Sequence, residues 1–299
     1  MMQLKALVKR NCKLFFKDKG MFFSSLITPI ILLLLYITFL ANVYRDSFVS
    51  NMPANTPESL INATVNGQLL SSLLAVCCVT VAFCSNLLMV QDKANESRND
   101  LTITPIKKTT LALGYYISTF LVTFIICFVA LIVCLVYMAF TGWYMSFIDV
   151  ILIFVDVILL TMFGTALSSI VNYFLNTQGQ MSAVGTIVSC SYGFICGAYM
   201  PISQFGDGLQ TILSFLPSTY ATALLKNHTL NGVFKEMGEM GWNEQLQGIR
   251  DSVDCNVYFF NNKVSITSMF FIVLITVLLC IIIYIIMNVI RIKKVNKAN

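Results

Sequence analysis

The chain has 299 residues, 57% of them hydrophobic and 11% charged, where a soluble domain carries about 25% charged residues. No long stretch has soluble composition, which excludes a further soluble enzyme domain. The formal net charge of +5 comes from basic residues gathered in a few short segments, the signature of membrane topology rather than of nucleic-acid binding, so the expected partner is a lipid bilayer.

Residues 3–19 carry Leu4, Leu7, Val8 and Phe15 at three- and four-residue steps, with lysines on the other face. That pattern predicts an amphipathic helix lying in the headgroup plane. The segment ahead of the first apolar run is too long for a cleavable signal peptide. Six apolar spans follow, at about 21–43, 65–90, 110–139, 147–174, 180–200 and 264–290. Each matches or exceeds the roughly 20 residues that cross a hydrocarbon core. Pro29 is expected to kink the first span, with Thr28 or a neighbouring helix satisfying the freed carbonyl. Between Lys108 and Asp207 the only residues of types charged at neutral pH are Asp149 and Asp156. A bilayer requires such a pattern, because each charge at its centre costs roughly 2.5–3.5 kcal/mol on insertion scales.

The connections differ in character. Residues 44–64 read as a polar loop on the outer side. Residues 91–109 form a compact charged segment that can hold a short helix ending before Thr104–Pro105. Between the fifth and sixth spans, residues 201–227 remain apolar, with Leu209, Ile212, Leu213 and Leu216 at helical spacing. They read as a re-entrant or interfacial helical hairpin. Residues 228–263 read as an exposed polar cap, with His228 a surface residue. Lys and Arg number six before the first span, four in the 91–109 loop and four in the C-terminal tail, against five on the opposite side. The positive-inside rule then makes both termini cytoplasmic.

Few residues offer chemistry. Eight of the ten cysteines lie in apolar runs, leaving Cys12 in the basic segment and Cys255 in the outer loop. Neither a disulfide framework nor a metal site is expected. There is no phosphate loop, no H-E-x-x-H and no G-x-S-x-G, so no catalytic residue and no cofactor bound by this chain are expected. Asp156, inside the fourth span, shares a helical face with Asp149 seven residues earlier. An intramembrane carboxylate is a functional candidate by default, and a secondary transporter using Asp156 as an ion-coupling site is the alternative function. Hydrogen bonding or protonation within the bundle is the plainer reading. The fifth span carries Gly185, Ser189, Gly193 and Gly197 at four-residue steps, a smooth stripe suited to packing within one subunit, to a subunit interface or to a cavity wall. No Lys or Arg falls within the spans.

Two stretches carry a family likeness that covers essentially the whole chain. One is DLTITPIKKTTLALGYY (Asp100–Tyr116); the other is GAYMPISQFGDGLQTILSFLPSTYATALLKN (Gly197–Asn227), with Pro201 and Pro217. The chain resembles the ABC-2-type permeases, the membrane half of type V ABC exporters in bacterial plasma membranes. The resemblance implies an all-α membrane protein with six transmembrane helices, an N-terminal connecting helix over residues 1–20 and a re-entrant hairpin before the last span. It implies that the 91–109 loop docks on a separate ATP-binding subunit through Asp92, Lys93, Glu96, Arg98 and Asp100. Around Glu96–Asp100 the family's acidic and glycine positions are replaced here by Ser97, Arg98 and Asn99. It further implies two ATPase subunits carrying ATP and Mg, and a second identical or homologous permease, with the first and fifth spans near the interface. The cargo would be a drug, lipid, peptide or glycoconjugate.

Overall fold

A computed structural model of the protein describes residues 2–53, 56–103, 106–260 and 262–295. The Thr104–Pro105 step and Lys297 lie outside the described residues. The architecture is helical throughout, apart from one short antiparallel strand pair that matches Tyr258 with Lys263. Five helices are long and apolar enough to cross a membrane by length and composition. The protein is therefore an all-α, multi-pass membrane protein.

Helix α1 (Met2–Lys17) buries Leu7, Asn11 and Phe15 and leaves Lys5, Lys9, Lys13 and Lys17 exposed. Its stripe meets α6 (Lys108–Thr141) where Gly114 lets the backbone come close: an added Cβ there would lie 3.2 Å from Leu7 Cβ. Asp18 separates α1 from α2 (Lys19–Leu35), its Oδ1 accepting the Met21 N–H at 3.1 Å, which satisfies a free donor of the new helix. Pro29 is buried in α2 and the helix runs through it. The departure from α geometry comes later, as a five-residue π-helix at Tyr36–Leu40 that leads into α3 (Ala41–Asn51). The expected polar loop over 44–64 is thus mostly helix. Arg45 ties α3 to the start of α4 (Glu58–Ala94) through Glu58 at 2.7 Å and Asn62 at 3.2 Å.

The centre of the molecule is α4. Its 37 residues extend about 55 Å at about 1.5 Å per residue, and it packs against α2, α6, α7 (Phe147–Phe174), α8 (Gln178–Ile195) and α10 (Pro217–Glu239). Polar side chains are paired along it: Asn86 donates to Ser168 Oγ at 3.1 Å and Ser169 Oγ at 3.0 Å, and Ser85 meets Thr123 at 3.0 Å. Gly142, at φ +148, turns α6 toward α7, and Ser146 caps α7 in a reciprocal box with Asp149. Short α5 (Ser97–Ile103) hangs below α4 through Glu96, which sits in the left-handed region at φ +59.

Past α8 the chain makes a 3-10 turn (Ile202–Gln204), then α9 (Asp207–Ser214) and α10. Thr219 and Tyr220 close the α9–α10 corner by donating to Leu213 O at 2.8 Å and Ser214 O at 2.5 Å. Pro217 opens α10 at its first position, where its missing N–H costs nothing. The expectation of an exposed cap from residue 228 onward does not hold. Helix α10 continues to Glu239, and Leu230, Val233, Phe234 and Met237 are 0–2% exposed, packed with Tyr44, Leu60 and Val65. Two more helices, α11 (Asn243–Ser252) and α12 (Ile266–Val295), complete the fold.

Candidate functional site

A cleft of about 1270 Å³ runs between α2 and α8. One wall offers Ser24, Thr28 and Ile31, the other Ser182, Thr186 and Ser189. Asp18 and Gln91 bound it at the end that holds α1, called here the basic end; Tyr199 and Gln204 bound it at the far end. Asp18 is the only charged residue among its described lining. Helix α8, with 18 residues, falls short of the apolarity of the five spanning helices chiefly because Gln178 and Gln180 occupy its first turn, with a smaller contribution from the hydroxyls on the cleft wall.

The small-residue stripe divides between two roles. Gly185 lines the cleft, with nothing within 4 Å of an added Cβ, and Ser189 is beside it. Gly193 is buried under the Tyr199 ring, which an added Cβ would strike. Gly197 lies beyond the helix end, in a turn at φ +71 that leads to Pro201.

At the basic end the charged residues separate in the same way. Asp92, 6% exposed, accepts both Arg10 guanidinium nitrogens at 2.7 and 2.9 Å and the Tyr115 hydroxyl at 2.6 Å. That carboxylate raises the Arg10 pKa above its ordinary value, outweighing the burial that lowers it. Lys93 Nζ donates to the carbonyls of Asn172 at 3.0 Å, Tyr173 at 2.7 Å and Leu175 at 3.0 Å. Asp92 is buried by these contacts and Lys93 half-buried. Glu96 and Asp100 are exposed, Arg98 is half-buried, and Ile103 at the tip of α5 is 83% exposed.

The fourth-span carboxylates both face α10. Asp156, 1% exposed, meets His228 Nδ1 at 2.5 Å. Asp149, close to the start of α7, is also 1% exposed and accepts from Asn231 Nδ2 at 2.7 Å and Ser146 Oγ at 2.7 Å. His228 is therefore a bundle residue, not a surface one. Lys226, counted on the outer side at the end of the expected hairpin, is 1% exposed; it donates to Gly197 O at 3.1 Å and Asp254 Oδ2 at 3.3 Å. Asp254 in turn accepts the Ile202 and Ser203 N–H groups at 2.6 and 3.1 Å. This pair pins the segment at the far end of the cleft to α10. The neighbouring Cys255 is buried, which pushes its thiol up to about 12.

The sequence reading missed Arg10, Lys226, His228 and Asp254. A signal for the middle two was present: Leu224, Leu225, Leu230, Val233, Phe234 and Met237 keep helical period across them. Among the described residues, no three His, Cys, Asp or Glu side chains gather to hold a metal ion.

A search of curated proteins finds no match. A family model described as ABC-2 type transporter matches residues 2–227.

Proposed function

Since the chain belongs to the ABC-2 type transporter family and is a permease component of an ABC transporter rather than its nucleotide-binding domain, we propose that it is the membrane subunit of an ATP-driven exporter. Two separate ATP-binding subunits, which hold ATP and Mg, dock on the basic end. A second permease, identical or homologous, faces the α2–α8 side. The basic end is cytosolic, with both termini there, in the plasma membrane of a bacterium. On this reading α8 is the fifth of six crossings, α9–α10 the re-entrant hairpin and α12 the sixth crossing.

The cleft carries this reading. It runs from Asp18 and Gln91 to Gln204 and sets hydroxyls among apolar side chains, a lining that suits an amphipathic cargo. With no Lys or Arg among its described lining, it leaves an anion without a partner once water is shed. A neutral or cationic amphiphile fits better. Helix α5 offers the exposed Ile103, Asn99 and Asp100 to the ATP-binding subunit. Closure of the two ATPases pushes α5, and the cleft alternates between closed and outward-open states that differ in affinity for cargo. Asp156 faces His228 and does not line the cleft, so an ion-coupled carrier has no carboxylate from this pair on the cargo's route.

Co-purification with the ATP-binding subunit, followed by reconstitution in liposomes, tests the proposal. A cationic amphiphilic dye should move only when ATP is supplied. Dye movement by this chain alone, driven by a proton gradient, would overturn it.

A further inference from the structure

Asp92 and Lys93 are consecutive residues in the last turn of α4. Successive helical side chains point about 100° apart, and here the two directions are both occupied. Asp92 reaches α1: the two bonds to Arg10 form a two-pronged fork, and Tyr115 of α6 donates a third bond to the same carboxylate. Lys93 reaches the other way, to the end of α7. An ammonium has three donors and no acceptor, and all three are aimed at Asn172, Tyr173 and Leu175 carbonyls. The last carbonyls of a helix lack partners within it and carry its negative dipole end, so a cation held there is both hydrogen-bonded and electrostatically favoured. The ammonium also lies 5.5 Å from the Tyr173 ring centroid.

The two grips lead to the two walls of the cleft. Helix α1 passes into α2 through the Asp18 cap. The elbow held by Lys93 passes into α8 at Gln178, three residues past Leu175. Helix α5 begins at Ser97, four residues beyond Lys93. We propose that Asp92 and Lys93 form a two-armed joint that divides any displacement of α5 between the walls, Arg10 carrying it to α2 and Lys93 to α8. Both are positioning residues; neither touches nucleotide or cargo. The inference rests on the reading that α5 meets the ATP-binding subunit.

The test uses the permease assembled with its ATP-binding subunits in lipid nanodiscs. Hydrogen–deuterium exchange is compared between the nucleotide-free complex and the complex trapped with Mg, ATP and vanadate. Three segments are followed: 97–103 in α5, 19–26 at the start of α2 and 176–184 at the start of α8. In the unaltered protein all three should respond to nucleotide. Lys93→Met should abolish the response at 176–184 and keep the one at 19–26. Arg10→Gln should do the reverse, and Lys93→Arg should restore the α8 response by supplying donors again. Should Lys93→Met fail to assemble, Lys93→Gln, whose shorter amide reaches fewer carbonyls, is read in the same way. Either variant keeping both responses, or losing both while 97–103 still responds, overturns the joint. Absence of any response at 97–103 in the unaltered complex removes the α5 docking assignment itself, and the joint falls with it.

Discussion

Two helices of nearly equal apolarity live in opposite surroundings. In α4, 89% of the most apolar window is buried inside the protein; in the first helix, over Lys19–Asp46, only 24% is. Apolar composition says that a segment avoids water, and it does not say whether lipid, a neighbouring helix or a second subunit replaces the water. The polar residues do. Helix α4 carries Thr64, Gln68, Ser71, Thr80 and Asn86, each 0–1% exposed, most of them bonded to a neighbouring helix or to their own backbone. The first spanning helix turns Phe23, Ile30 and Leu34 outward, each at least half exposed and none lining the cleft, as lipid or an apolar partner face permits.

Substitutions can break or sharpen that contrast. The largest effect is expected at Gly164, where α7 crosses α4 backbone to backbone. An added Cβ would lie 2.7 Å from the Cys78 carbonyl oxygen and 2.9 Å from Val79 Cα, atoms that cannot turn aside. Gly164→Val should cost about 3 kcal/mol or more, read as loss of monodisperse protein after detergent extraction; wild-type recovery would mean the α4 core is looser than described. His228→Ala comes next. It leaves Asp156 buried without its partner and should cost about 2 kcal/mol, read as the midpoint of unfolding in mixed SDS micelles. Asp156→Asn, which keeps a hydrogen-bonding group there, should cost less. Asn86→Ala removes three interhelical bonds, to Ser168, Ser169 and Thr119, and should cost about 1 kcal/mol by the same measurement. Gly185→Val is the counterpart in the cleft. Nothing lies within 4 Å of the Cβ that would be added, so stability should change by less than about 0.5 kcal/mol, while ATP-driven dye transport in liposomes should fall. A large loss of stability would place Gly185 in a packed interface within the subunit.

Much of this architecture was legible beforehand. Charge exclusion over Lys108–Asp207 and the basic face of α1 are both direct consequences of bilayer physics, and the family likeness follows the same segments. What stayed hidden was which polar residues turn inward. Lys226 and His228 stand where the expected hairpin gives way to the expected polar cap, and their partners, Asp254 and Asp156, are 28 and 72 residues away. Pairing of that range is a property of packing, invisible to local pattern. The partners of Asp92 and Lys93 were hidden for a related reason: they lie on other helices, and the carbonyls that hold Lys93 belong to a helix end some eighty residues on.

The π-helix at Tyr36–Leu40 bears on how the first helix could move. A π segment holds one residue more per turn than its flanks, so the buried face continues at Tyr36, Tyr44 and Phe48 in multiples of four residues instead of drifting away from α4. Such an extra residue is free to migrate: each amide exchanges one carbonyl acceptor for the next, and no hydrogen bond is lost overall. The far portion of the helix can then swivel on the near portion while remaining helical, so the wall beside the cleft can change which side chains it presents without unwinding.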